Sequence, residues 1–151
     1  MSIKVGDNAP DFSLPAQNAS TVSLRDFRNK QAVVLYFYPK DDTPGCTAES
    51  CAFRDQYEVF KAAGAEVIGI SGDSSESHQK FVAKYNLPFT LLSDKGDQVR
   101  KLYGATTAFG FIPGRVTYVI DQKGVIQYIF DSMLDFKGHV EKSLKTLQEL
   151  A

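Results

Sequence analysis

Several stretches of the chain are rich in apolar, β-branched or aromatic residues, as buried strands are. QAVVLYFY at 31–38 is a continuous apolar run, which is typical of a strand covered on both faces, and AEVIGIS at 65–71 predicts a second buried strand. Three shorter candidates follow: FTLLS at 89–93, VTYVID at 116–121 and VIQYIF at 125–130. The Gln-Lys-Gly segment between the last two runs predicts a β-hairpin.

The segments between these strands have helical periodicity or helix-terminating residues. HVEKSLKTLQEL at 139–150 is amphipathic, with one apolar stripe formed by Val140, Leu144, Leu147 and Leu150. The other predicted helices are 44–62, ending near Gly64, then 75–85, before Pro88, and 97–102. Residues 12–14 and 21–24 predict a short N-terminal hairpin.

The order of these elements is β-α-β-α-β, then a hairpin and a closing helix. It predicts an α/β fold with a mixed central sheet and helices on both faces. A thioredoxin-like fold has this order, and so do other α/β folds. At 151 residues the chain is most simply one domain over 1–151, with enough core to fold without a disulfide.

Composition and charge narrow the function. The chain is 43% hydrophobic and 23% charged, with a net charge of −1 and scattered Lys and Arg, so we expect neither nucleic acid nor an anionic membrane as a partner. The N-terminus shows no secretory pattern, and the longest apolar run is far shorter than the ~20 residues of a spanning helix. We therefore expect a cytosolic protein, in which a close cysteine pair is catalytic or metal-binding rather than structural.

The two cysteines lie in YPKDDTPGCTAESC, residues 38–51. Pro39 ends the preceding strand, Thr43 suits a helix N-cap and Pro44 suits the first helical position, so Cys46 falls in the first turn. The amides of that turn and the helix dipole favour a thiolate there, although a small buried core cysteine is the alternative. We expect a reactive thiol at the carboxyl end of the strand, where open α/β sheets form their crevice.

Ionisation alone does not make a fast nucleophile, because intrinsic nucleophilicity falls as a thiol becomes more acidic. A large rate needs groups that bind the substrate and stabilise its departing oxygen. Candidates are the Thr43 hydroxyl, the amides of Gly45 and Cys46, and Arg115, which follows the loop FGFIPG at 109–114. The alternative for Arg115 is a solvated arginine at a strand end.

The second cysteine lies on another side of the same predicted helix. Cys46 shares its face with Phe53, Tyr57 and Phe60, whereas Cys51 lies about 140° away. The residues around Cys51 are charged: Arg54, Asp55, Glu58 and Lys61. Five helical residues separate the Cα atoms by about 8.6 Å, beyond the usual disulfide range of about 4.4–6.8 Å. The two thiols therefore cannot bridge until the helix unwinds locally, as helix ends can.

Two other uses of paired thiols fit less well. A structural zinc site needs four ligands with closer cysteines, and only His78 and His139 remain, each near a helix start and more simply a surface residue. We therefore expect no metal. A dithiol exchanger of the thioredoxin type would carry Cys-x-x-Cys rather than the Cys-x4-Cys found here.

The active-site stretch resembles the peroxiredoxins, and in particular the peroxiredoxin Q branch, also called bacterioferritin comigratory protein. The Pro-x-x-x-Thr-x-x-Cys motif of that family is present from Pro39 through Thr43 to Cys46, within FYPKDDTPGCTAESCAFRD at 37–55. GDNAPDF at 6–12 and GRVTYVID at 114–121 also match, so the resemblance spans nearly the whole chain.

The resemblance implies a thiol peroxidase without metal or organic cofactor. By this resemblance Cys46 would be the peroxidatic cysteine and Cys51 the resolving cysteine of the same subunit. Residues 72–86 and the C-terminal region contain no cysteine, so only Cys51 or a thiol from outside the chain can serve. The implied peroxide pocket comprises Pro39, Thr43, Gly45 and Arg115, with Glu49 as a supporting residue. The substrates would be hydrogen peroxide and organic hydroperoxides, the reductant thioredoxin or a similar dithiol, and the protein a monomer.

Some alternatives stay open at this point. A non-catalytic redox sensor would also use the cysteine pair, but it would not need a pocket of Pro39, Thr43 and Arg115. In the loop before Arg115, Phe109, Phe111 and Ile112 could line the pocket, dock thioredoxin or form a dimer face.

Overall fold

The computed structural model describes residues 3–107 and 112–150. A two-stranded sheet pairs β1 (Ser13–Pro15) with β2 (Thr21–Ser23), as the predicted N-terminal hairpin requires. The central sheet contains β3 (Ala32–Phe37), β4 (Ala65–Ser71), β5 (Thr90–Ser93), β6 (Val116–Ile120) and β7 (Ile126–Asp131). Its helices are α1 (Pro44–Asp55), α2 (Tyr57–Ala62), α3 (Ser75–Tyr85), α4 (Gln98–Tyr103) and α5 (Phe136–Leu150).

The five strands of the central sheet lie in the order β5-β4-β3-β6-β7. Strand β3 pairs in parallel with β4, and β4 with β5, whereas β6 runs antiparallel to both β3 and β7. The mixed sheet and the thioredoxin-like fold predicted from the sequence are thus confirmed. The single-domain organisation over 1–151 stays a prediction.

Alternate residues of β3 supply two separate cores, because successive strand side chains point to opposite faces of a sheet. Val33, Leu35 and Phe37 pack with residues of the N-terminal segment and α4. Val34 and Tyr36, with Tyr38 just beyond the strand, pack with residues of α1, α2, α3 and α5. A strand that is buried on both faces has to be apolar throughout, which explains the uninterrupted run at 31–38.

The predicted helix over 44–62 is two helices. The chain breaks at Gln56, whose φ of −108° and ψ of 7° are not helical, and α2 starts afresh at Tyr57. The break lets Phe53 and Phe60 both reach the core, whereas Val59 is exposed. Leu150, expected on the apolar stripe of α5, is also exposed. Within the described ranges, no helix combines the length and the apolar character needed to cross a membrane.

Candidate active site

The pairing of β3 with β6 brings two distant segments together at one edge of the sheet. Phe37, near the end of β3, lies opposite Val116, the first residue of β6, and Val116 also pairs with Asp131 at the end of β7. The loop after β3, Arg115 and the loop after β7 therefore meet. These three segments, joined by the first turns of α1, build the site around Cys46.

Helix α1 starts where the proline and threonine predict. Thr43 has extended backbone angles, its carbonyl accepts from the Thr47 amide at 2.8 Å, and Pro44 is the first helical residue. The Thr43 side chain does not cap the helix as expected. Its hydroxyl donates instead to the Lys40 carbonyl at 2.9 Å, which leaves the oxygen's lone pairs for another donor. Pro39 is half-buried at the end of the strand.

Cys46 is buried, and its Sγ lies 3.4 Å from Nη2 of Arg115. Arg115, 4% exposed, is not the solvated arginine considered from the sequence. Its Nη1 donates to Glu49 Oε1 at 2.7 Å, its Nε donates to the Met133 carbonyl at 3.0 Å, and its guanidinium stacks on Phe136 at 4.9 Å. Four contacts thus hold the cation in one orientation against the sulfur.

The charges around Arg115 keep it protonated despite its burial. Burial by itself lowers the pKa of Arg115, but the Glu49 carboxyl and the Cys46 sulfur raise it above its ordinary value. A fixed cation beside the sulfur stabilises a thiolate, and it would also stabilise negative charge that develops on a departing oxygen.

Gly45 lies under this cation. A Cβ added to Gly45 would be 3.0 Å from Cζ of Phe136 and 3.1 Å from Nη2 of Arg115. Both contacts are tighter than side chains usually tolerate, so a larger residue here would displace the guanidinium or the ring. The pocket therefore needs a residue without a side chain at position 45, in addition to the predicted role of the Gly45 amide.

Cys51 is half-buried and lies on the same unbroken helix as Cys46, and both cysteines are free thiols. Helix geometry then keeps the Cα atoms about 8.6 Å apart, as expected from the sequence. The residues between them are tied down: the Ser50 hydroxyl lies 2.9 Å from the Tyr36 hydroxyl, and Glu49 is bound to Arg115. A disulfide would require these contacts to break.

Both histidines, expected on the surface, are fully buried, so that prediction is wrong. His78 Nδ1 lies 2.7 Å from Asp41 Oδ2 and its Nε2 lies 2.9 Å from the Leu92 carbonyl oxygen. Asp41 also accepts from Tyr38 and Ser77, and these bonds join α3 to the loop that leads into α1. Because both ring nitrogens of His78 are already engaged, its closeness to two carboxylates does not make a metal site.

His139 lies behind the active site, on α5. Its Nε2 is 2.7 Å from the Ser132 carbonyl oxygen, its Nδ1 is 2.7 Å from Thr117 Oγ1, and Nδ1 is also 3.5 Å from Glu49 Oε2. Sequence reasoning missed His139 and Phe136, because neither lies in a motif and only the packing of α5 against α1 and β6 brings them to Arg115. Of the three loop residues considered, Phe109 and Phe111 lie outside the described residues, and Ile112 is 43% exposed.

Comparison with known proteins agrees with this geometry. The model of the AhpC/TSA family matches residues 5–129. A chloroplastic peroxiredoxin Q of Triticum aestivum is 54% identical over 149 residues, 98% of this chain and 68% of that protein. One from Sedum lineare is 55% identical over 146 residues, 96% of this chain and 78% of that protein.

Solved structures show the same similarity. The peroxidoxin BcpB of Mycobacterium tuberculosis superposes with a TM-score of 0.92 at 34% identity, covering 99% of each chain. A mutant of PrxQ from Xylella fastidiosa gives a TM-score of 0.89 at 30% identity, covering 99% of this chain and 98% of that one. The bacterioferritin comigratory protein of Xanthomonas campestris, described with alkyl peroxide reduction activity, gives 0.86 at 27% identity, with 98% and 97% covered.

The relatives correct the expected location. The curated proteins at 52–55% identity are named chloroplastic, which points to a plastid, so the prediction of a cytosolic protein is wrong. That prediction rested on the lack of a secretory pattern, which does not distinguish the cytosol from the interior of an organelle. The family match, the similarity to the Q branch and the site around Cys46 agree on one conclusion: the chain belongs to the AhpC/TSA family as a peroxiredoxin Q, a thiol peroxidase.

Proposed function

We propose that the protein reduces hydrogen peroxide and organic hydroperoxides through Cys46, with Cys51 as the resolving cysteine and thioredoxin or a similar dithiol as the reductant. The observation that carries the proposal is the Cys46 Sγ at 3.4 Å from an Arg115 side chain that is held by Glu49, Met133 and Phe136. A fixed cation beside a first-turn sulfur is the arrangement that nucleophilic attack on an O–O bond requires.

In the first step, the Cys46 thiolate attacks one peroxide oxygen, the S–O bond forms and the O–O bond breaks. Cys46 becomes a sulfenic acid, and the departing hydroxide or alkoxide takes up the proton that the Cys46 thiol released to solvent when it ionised. Arg115 stabilises the charge on the departing oxygen, while the Thr43 oxygen and the amides of Gly45 and Cys46 orient the peroxide. Pro39 closes the side of the pocket where the strand ends.

In the second step, the Cys51 thiol condenses with the sulfenic acid, releases water and forms the 46–51 disulfide. Helix α1 has to unwind between the two cysteines for this bond to form, because the intact helix holds them too far apart. A dithiol such as thioredoxin then attacks the disulfide, passes through a mixed disulfide and returns both cysteines as thiols. Because the resolving thiol is in the same chain, a monomer suffices, and sedimentation velocity tests that state.

The two cysteines can be tested separately in an assay that couples peroxide to thioredoxin, its reductase and NADPH. Cys46→Ser should abolish turnover, because no sulfur remains to be oxidised. Cys51→Ser should be oxidised once and stall as a sulfenic acid that dimedone traps on Cys46.

Normal thioredoxin-linked turnover of Cys51→Ser would contradict the assignment of Cys51, and turnover of Cys46→Ser would contradict the peroxidatic role of Cys46. Slow consumption of one equivalent of peroxide by the unaltered protein, with no sustained turnover, would favour the redox sensor over the peroxidase.

A further inference from the structure

The carboxyl group of Glu49 is only half satisfied. The residue is completely buried, and its Oε1 accepts from Arg115 Nη1 at 2.7 Å. Its Oε2 has no hydrogen-bond donor among residues 3–107 and 112–150. A buried carboxylate oxygen without a donor is costly, so the native protein needs a reason to keep it there.

A titratable side chain lies near this oxygen: Nδ1 of His139 is 3.5 Å from Oε2. The Nε2 of His139 faces the Ser132 carbonyl oxygen, which can only accept, so this nitrogen carries a proton. Burial lowers the pKa of His139 to about 4, which leaves the ring neutral and Nδ1 without a proton. The one lone pair of Nδ1 then accepts from the Thr117 hydroxyl at 2.7 Å, so His139 offers no donor to Glu49 Oε2.

Two acceptors therefore face each other when Glu49 is ionised. A proton on Oε2 removes the negative charge that faces the electron-rich nitrogen, and with it the repulsion between the two groups. Burial raises the pKa of Glu49 to about 7, against the opposing effect of the Arg115 charge. The carboxyl group can thus change its charge near neutral pH.

The charge of Glu49 matters to the sulfur because both share one cation. With Cys46 as a thiolate and Glu49 as a carboxylate, Arg115 faces two anions in a buried site. The net charge of these three groups is then −1. With Glu49 protonated the sum is zero, and the guanidinium acts on the thiolate alone. A buried cluster without net charge is favoured because desolvation penalises uncompensated charge.

Other titratable groups around the pair do not take this role. Tyr36, from β3, stays neutral because burial raises its pKa well above the ordinary value. Asp135, at the start of α5, accepts from the Gly138 amide at 2.9 Å and acts on His139 from a distance. Among the described groups of α1, β3, β6 and α5 around the site, Glu49 shares Arg115 with the sulfur, so its protonation sets how much of the cation's charge the thiolate receives.

We infer that His139 is a positioning residue of the peroxide site, which favours the protonated form of Glu49 so that Arg115 gives its charge to the Cys46 thiolate. The inference rests on the proposed role of Cys46. His139 touches neither the sulfur nor the peroxide, and it acts through Glu49 and Arg115.

The test is the pH midpoint of Cys46 thiolate formation, followed by thiolate absorbance in a Cys51→Ser background so that one thiol titrates. In His139→Gln, the amide can donate to Glu49 Oε2 and stabilise the carboxylate. We expect the midpoint to rise by about one pH unit, at the lower end of the effect of a nearby charge. Below the midpoint, the rate of Cys46 oxidation by peroxide should fall up to about tenfold.

Glu49→Gln shows whether the effect passes through the carboxyl group. It removes the shared anion, so adding His139→Gln to it should produce no further shift of the midpoint. Ser143→Ala serves as a control, because it removes a buried hydroxyl from the same helix and leaves the His139 ring in place. Its midpoint should equal that of the parent protein.

An unchanged midpoint in His139→Gln, or an equal shift with and without the Glu49 carboxyl, would overturn the inference while leaving the peroxidase intact. Turnover by Cys46→Ser would instead overturn the proposed function. If His139→Gln does not fold, infrared difference spectroscopy decides. The inference requires a protonated carboxyl band that titrates near pH 7 and is missing in Glu49→Gln, and absence of that band would refute it.

Discussion

Glu49 and His139 are neighbouring buried groups whose pKa values are displaced in opposite directions. Burial raises the pKa of Glu49 from 4.5 to about 7 and lowers that of His139 from 6.5 to about 4. An acid whose pKa is raised in the folded state stabilises the fold below its ordinary pKa. For Glu49 this contribution is lost as the pH rises through about 7. A base whose pKa is lowered in the folded state stabilises the fold above its ordinary pKa, which is 6.5 for His139. This contribution is lost as the pH falls through about 4. In the same pH range the two effects oppose each other.

Replacing Glu49 should remove one of these two opposing effects and so change how stability depends on pH. In Glu49→Gln, the free energy of unfolding relative to the unaltered protein should rise by about 3 kcal/mol from pH 4.5 to above pH 7, because the loss that Glu49 causes is removed. Urea denaturation at several pH values measures the difference. Glu141→Gln, at an exposed position of α5, is the matched control and should run parallel to the unaltered protein. Parallel curves for Glu49→Gln would contradict the raised pKa of Glu49.

At the scale of the element, α1 has to be both a rigid support and a segment that opens. Its far end is fixed by Phe53, which stacks on Tyr36 at 4.5 Å. Its beginning lacks a side-chain cap, and its other end breaks from α2 at Gln56. Short helices with weak ends belong to the parts of a fold that open most readily. The proposed disulfide step uses this property.

Weakening α1 at an exposed position should accelerate disulfide formation. Ala48→Gly lowers helix stability by about 1 kcal/mol without touching the buried contacts, and a change of that size is about fivefold in the population of the opened helix. We expect up to about fivefold faster conversion of the sulfenic acid to the 46–51 disulfide, measured by stopped-flow fluorescence. Attack on peroxide should change little.

Ala83→Gly is the matched control, because Ala83 is an exposed alanine in the last turn of another helix, α3. It should lower global stability by a similar amount and leave disulfide formation unchanged. Equal acceleration in both variants would show that general destabilisation, rather than local opening of α1, limits this step.

At the scale of the whole molecule, Arg100 joins the segments that carry the site. It is completely buried on α4, stacks on Phe37 and donates to the carbonyls of Tyr38, Ala105 and Gly114. Tyr38 precedes the loop to Cys46, and Gly114 precedes Arg115. One guanidinium therefore connects the end of β3 to the start of β6, and its fork geometry suits several carbonyls at once.

Lysine cannot replace these contacts. Arg100→Lys leaves at least one of the buried carbonyls without a donor, and each such acceptor costs about 1–3 kcal/mol. We expect a loss of about 2–5 kcal/mol in the free energy of unfolding, with slower reaction with peroxide as the site loosens. Chemical denaturation measures the loss. Lys101→Ala, at the neighbouring exposed position, should change stability by less than about 0.5 kcal/mol. Equal losses of stability in the two variants would contradict the role of Arg100 in joining these segments.

Local sequence patterns predict several strands, the start of α1 and the family of this protein. An uninterrupted apolar run marked β3, a second mostly apolar run marked β4, and the Thr-Pro-Gly lead-in marked the start of α1 with Cys46 in its first turn. The active-site motif identified the family. These features depend on residues within one or two turns of each other, so a linear pattern contains them.

Which distant groups meet follows from the packing of the complete fold. Arg115 is 69 positions from Cys46, and His139 and Phe136 come from the last helix, where periodicity indicated a helix and not what would lie against it. The burial of both histidines, the break at Gln56 and the fork of Arg100 likewise arise from packing. Whether a polar group is buried, and therefore how its pKa moves, depends on every element folded around it, and no local pattern records that environment.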